Sequence, residues 1–173
     1  MWFRAFPLLV TLLCLMGCDY AERLHALRAL PPAVMAEAVV YARNETHGLG
    51  PGGNETGFNV IRLAQAGAEI VAAGGAEWLN AQPGGRIEGG WQATPVPRTE
   101  DWMGRPDSAM GAWPDPTVLA VLNRYGPFVV PQEHQAALDA ALNAPGSYFA
   151  FGPGGLVAVI VPGTRRAYVF HAG

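Results

Sequence analysis

Ser147-Tyr148-Phe149-Ala150-Phe151, Leu156-Val157-Ala158-Val159-Ile160-Val161 and Ala167-Tyr168-Val169-Phe170-His171 are three runs of strand length near the end of a 173-residue chain. Gly152-Pro153-Gly154-Gly155 and Pro162-Gly163-Thr164-Arg165-Arg166 separate them. Glycine and proline in such clusters mark turns between strands. Connections this short join antiparallel neighbours, because a parallel crossover needs a dozen residues or more. The three runs therefore predict a meander. The middle run has no polar position on either face, so it is expected at the centre of a sheet covered on both sides.

Upstream, the pattern changes to helical spacing. Pro131 opens a helix through Ala137, Leu138, Ala141 and Leu142, closed by Asn143-Ala144-Pro145-Gly146. Asp115-Pro116 predicts another, with aspartate as N-cap and proline at the first helical position. Its stripe is Val118, Leu119, Leu122 and Tyr125. Residues 64–80 read as a helix with Leu63, Gly67, Ile70, Val71, Gly74 and Trp78 on one side. Interior glycines cost a helix about 1 kcal/mol each relative to alanine. Gly67, Gly74 and Gly75 are thus expected to let this helix approach the sheet closely.

Phe58 to Leu63 reads as a fourth strand, preceded by the glycine-rich connector 48–57. A phosphate cradle would need a strand before that connector and a helix after it; the reading gives the reverse order. Val34, Met35, Ala38, Val39 and Ala42 lie at helical spacing, as do Tyr20, Leu24, Leu27 and Leu30, with Pro31-Pro32 between the two segments. The expected fold class is α+β: about five helices covering a small antiparallel sheet with a C-terminal three-strand meander.

Residues 81–114 show neither period and hold Trp91, Trp102 and Trp113 among glycines and prolines. Loops beyond about 12–15 residues are uncommon in compact domains unless functional or disordered. Tryptophan is atypical of disorder, so this loop is expected to be ordered. A short hairpin is expected between Arg86-Ile87-Glu88 and Thr94-Pro95-Val96. Aromatic and arginine residues together mark binding hot spots. Trp91, Trp102, Trp113, Arg98 and Arg105 are therefore the candidate binding residues. The alternative is that the indoles plug the loop onto the core.

Few residues are positioned for catalysis. Ser108 and Ser147 are the two serines, and neither lies in a G-x-S-x-G elbow. His25, His47, His134 and His171 include no i,i+4 pair and no H-E-x-x-H. Glu45 and His47, read at a fraying helix end, are expected to diverge; His134 reads as part of a solvated helical face, and His171 as a strand-edge residue. Glu100, Asp101 and Asp107 are candidates for the paired carboxylates of glycan hydrolysis. No metal or other cofactor is expected. Every basic residue is arginine, the net charge is −3, and no basic stripe is present, which argues against a nucleic-acid partner.

The first residues carry an address. Arg4 precedes the apolar run Phe6 to Met16, and the small residue Gly17 precedes Cys18. These are the parts of a secretory signal. The run is roughly half of the about 20 residues a membrane-spanning helix needs, and Asp19, Glu22 and Arg23 follow at once.

Leu15-Met16-Gly17-Cys18 resembles the signal end of bacterial lipoproteins, with Met16 departing from the residues that class prefers there. The resemblance implies cleavage before Cys18, diacylglycerol on its thiol and acylation of the new N-terminus. One acyl chain anchors only marginally; two or three hold stably. Asp19 resembles the residue that retains such proteins at the inner membrane of enteric bacteria.

The expected organisation is a signal peptide over 1–17 and one α+β domain over 18–173. Cys14 falls in the signal, so the mature part has no second cysteine for a disulfide, a thiol nucleophile or a cysteine metal site. The expected function is a membrane-tethered binding module on the periplasmic side, without catalysis. It would meet another envelope protein or peptidoglycan through 81–114. The alternatives are an envelope hydrolase acting on glycan or peptide, or an inhibitor of a secreted toxin.

Overall fold

A computed structural model of the chain describes residues 23–47, 54–87, 89–98, 102 and 115–173. The fold is α+β, built on one antiparallel six-stranded sheet. Its strands are β1 (Ala36–His47), β2 (Asn54–Leu63), β3 (Gln92–Ala93), β4 (Tyr148–Phe151), β5 (Leu156–Val161) and β6 (Arg166–Ala172). Their order across the sheet is β1-β2-β6-β5-β4-β3. Among the described residues the helices are α1 (23–27), α2 (Gln65–Asn80), α3 (Val118–Leu122) and α4 (Gln132–Asn143).

Both faces of the sheet are covered, and alternation along each strand sorts the side chains. One face carries Ile61, Leu63, Ala150, Ala158, Ile160, Ala167 and Val169. Leu30 after α1, Ala68, Val71 and Leu79 of α2, and the loop residues Ile87 and Trp91 pack over it. The other face carries Phe58, Val60, Phe149, Val157, Val159, Tyr168 and Phe170. Val118, Val121 and Leu122 of α3, Leu138 and Leu142 of α4, and Trp102 close over that side. Strand β5 lies between β4 and β6, apolar on both faces because neither meets water.

The N-terminal half corrects the sequence reading. Residues 36–47 form the long edge strand β1, where helical spacing predicted a second helix. Two register shifts, between Ala36 and Ala38 and between Val39 and Tyr41, interrupt its alternation. With the period of two broken, alanines and valines fall three and four apart and imitate a helical stripe. Pairing with β2 along its whole length overrides alanine's helix preference.

The close approach of α2 is also different from the expected one. A Cβ at Gly67 would meet the carbonyl oxygen of Val34, in the 3-10 turn Pro32–Val34, rather than the sheet. One at Gly74 would meet its own helix's Trp78. Gly75 breaks α2 with φ 64 and ψ −159, a region open essentially only to glycine.

Further along, Thr117 caps α3, its hydroxyl accepting from the Ala120 amide at 3.3 Å, while Asp115 pairs with Arg98. The expected 86–96 hairpin is not formed. The amides of Arg86 and Ile87 bond the carbonyl of Ala29, and β3 pairs with β4.

Candidate functional site

Along β2 the inward positions of the first face read Leu63, Ile61, Asn59, Gly57 and Glu55, going from apolar to polar. The same change occurs on the neighbouring strands. Asn44 of β1 stands opposite Gly57, which stands opposite His171 of β6, which stands opposite Leu156 of β5. The four positions form one row across the sheet and project to one side. Where the hydrophobic core under α1 and α2 ends, this row opens a cleft of about 440 Å³.

Gly57 sets the shape of the cleft. A Cβ there would run into Asn44 Oδ1 and His171 Cε1. The missing side chain lets an amide and an imidazole converge over bare backbone. Asn59, one row deeper, is only 5 % exposed. Its Nδ2 donates to the carbonyl of Val169 at 3.5 Å, at the limit of a hydrogen bond, and its Oδ1 accepts none among the described residues.

Other segments complete the walls. The Glu55 amide donates to the Gly173 carbonyl at 2.9 Å and the Gly173 amide returns a bond at 3.0 Å, which fixes Glu55 at one end. Arg86 is held by its amide on Ala29, the residue that follows α1 by two positions. His25 of α1 borders the opening, and Ala26, Ala29, Leu156 and Val169 supply apolar surface. Neither Glu55 nor Arg86 has an ion-pair partner among the described residues.

The tryptophan loop is arranged differently from a surface platform. Trp91 is 2 % exposed and packs on the first face; Trp102 is 5 % exposed and packs on the second. The chain wraps the β4 edge between them through β3. Asn80 clamps the Trp91 backbone with two bonds, 2.8 and 3.0 Å, and Trp102 donates its indole N–H to the Thr117 carbonyl at 2.9 Å. The Thr94 hydroxyl bonds the backbone carbonyl and amide of Ser147 across the same edge, both at 3.1 Å. Arg98 is exposed and paired with Asp115. Trp113 and Arg105 lie outside the described residues, as do Cys18, Ser108, Glu100, Asp101 and Asp107.

The remaining histidines belong to the second face. Because 43–47 is a strand, Glu45 and His47 share a face and approach to 3.9 Å instead of diverging. His134 of α4 packs against Tyr41 with ring centres 5.2 Å apart and planes tilted by 57°, so it is not on a solvated face. No three His, Cys, Asp or Glu side chains among the described residues are grouped closely enough to hold a metal.

The cleft was legible only in part. His171 is a candidate from the sequence, but as an edge residue. Asn59 is the lone polar residue in Phe58-Asn59-Val60-Ile61, a signal that was available. Its neighbours across the sheet depend on register, which sequence does not give. Among the described residues no helix is long and apolar enough to cross a membrane. No family model, no curated protein and no solved structure matches the chain.

Proposed function

We propose that this chain is a lipid-anchored binding protein of the bacterial cell envelope, tethered at Cys18, whose ligand site is the cleft over Gly57. The observation that carries the binding reading is Asn59. A buried amide with an unpaired oxygen costs about 1–3 kcal/mol, and the core around it would accept an apolar residue. Retaining an amide beside a cleft of 440 Å³, within the roughly 300–1,000 Å³ range of small-molecule sites, fits a group kept for a ligand.

The side chains of the described lining are amides, imidazoles, one carboxylate and one guanidinium beside apolar groups. Among them is no hydroxyl or thiol and no second side-chain acid for the paired-carboxylate route. The tether rests on Leu15-Met16-Gly17-Cys18 and the short apolar run before it.

Two measurements test the halves separately. Fatty-acid labelling in cells is expected for the parent and lost in Cys18→Ser; labelling that persists in the variant ends the tether. A thermal-shift screen of small polar compounds is expected to find ligands that raise the midpoint of the parent but not of Asn59→Leu. Ligands that shift both equally would move the site elsewhere.

A further inference from the structure

We infer that the cleft clamps a short zwitterionic peptide, its ammonium on Glu55, its carboxylate on Arg86 and its backbone amide on Asn59. The inference rests on the cleft being the ligand site and adds the chemical class of the ligand. Glu55 and Arg86 border the same cleft with opposite charge, and among the described residues neither is paired with any side chain or with the other. Either one alone is an ordinary surface charge. Together they flank a buried amide whose acceptor is unsatisfied, so donors and acceptors of both signs face one volume.

The orphaned oxygen of Asn59 selects within the class. Glu55 and Arg86 do not pair with each other, so a ligand carrying both opposite charges can stand between them. A ligand with a peptide bond between its charges also presents the N–H that Asn59 Oδ1 lacks. Leu156, Val169 and Ala29 offer apolar contact to a small side chain. A sugar fits less well. Its ring face is usually covered by an aromatic side chain, and the only aromatic rings among the described lining residues are the imidazoles of His25 and His171.

The test is isothermal titration of the full-length protein, purified in mild detergent, with trialanine, N-acetyl-trialanine, trialanine amide, free alanine and N-acetylglucosamine. Trialanine is expected to bind, and blocking either end is expected to weaken it at least about tenfold, the loss of one charge-assisted hydrogen bond. Glu55→Gln should abolish discrimination against the acetylated peptide alone, and Arg86→Gln discrimination against the amide alone. All-L and all-D trialanine are run in parallel. A preference for L points to peptides of protein origin, and one for D to peptides of wall origin; either supports the clamp.

Equal binding of blocked and free peptides, or no heat with trialanine, overturns the clamp. If N-acetylglucosamine binds and Asn59→Leu abolishes it, the cleft stands and the peptide class falls. If trialanine binds equally to Asn59→Leu, Glu55→Gln and Arg86→Gln, the cleft itself is not the site.

Discussion

Asn59 carries a cost that the apolar residues beside it on β2 do not. Phe58, Val60 and Ile61 are fully buried and apolar, and Asn59 sits among them with an unpaired oxygen. Asn59→Leu is therefore expected to raise unfolding stability by about 1–2 kcal/mol, read from urea denaturation, while ligand binding is lost. A destabilised variant would show that the amide is structural. Trp102 gives the opposite expectation. Its indole meets Phe149, Phe151 and Phe170 at 5.9–6.2 Å and holds Thr117 through its N–H. Trp102→Ala should cost about 3–5 kcal/mol. A variant with parent stability would return this residue to the surface role that the sequence suggested. Residue type alone could not choose between these roles, because an indole serves a core and an interface equally well.

Strand β1 and helix α2 show how far element-level patterns reach. The C-terminal runs and α4 were readable because their periods are intact and glycine or proline bounds them. Strand β1 was not, because its two register shifts scramble the alternation. In α2 the helix was legible and the purpose of its glycines was not. Gly67 faces a backbone carbonyl that cannot move aside, so Gly67→Ala is expected to cost about 1–3 kcal/mol despite alanine's better helix propensity. Gly75→Ala should cost a similar amount, about 1–3 kcal/mol, through its backbone angles. Chemical denaturation of both variants checks this, and a stabilised Gly75→Ala would show that the break in α2 is not required.

At the scale of the molecule, a sheet packed on both faces leaves few ionisable groups inside it. Tyr168 is one: burial pushes its phenol above the usual value of 10.0, with the nearby Arg166 opposing the shift. A raised value in the folded state means that the folded protein holds the proton more tightly. The stability this provides is complete below about pH 10 and is lost as pH rises through the folded value. Unfolding stability is thus expected to fall in the alkaline range, and Tyr168→Phe should flatten that fall. An unchanged alkaline profile in the variant would assign the loss to other groups.

What the sequence determined by itself was local. Its C-terminal strands, its turns and most of its helices follow from period and punctuation, and the tether at Cys18 is a proposal read from the order of a few adjacent residues. Only the tertiary structure decided which strand pairs with which. That pairing set Asn44, Gly57 and His171 in one row and brought Glu55 and Arg86 to one cleft. It also sent two tryptophans to opposite sides of the sheet. The physical reason is that side-chain direction in a strand repeats every two residues. A site shared by four strands therefore depends on register, and register is fixed by packing across the whole sheet.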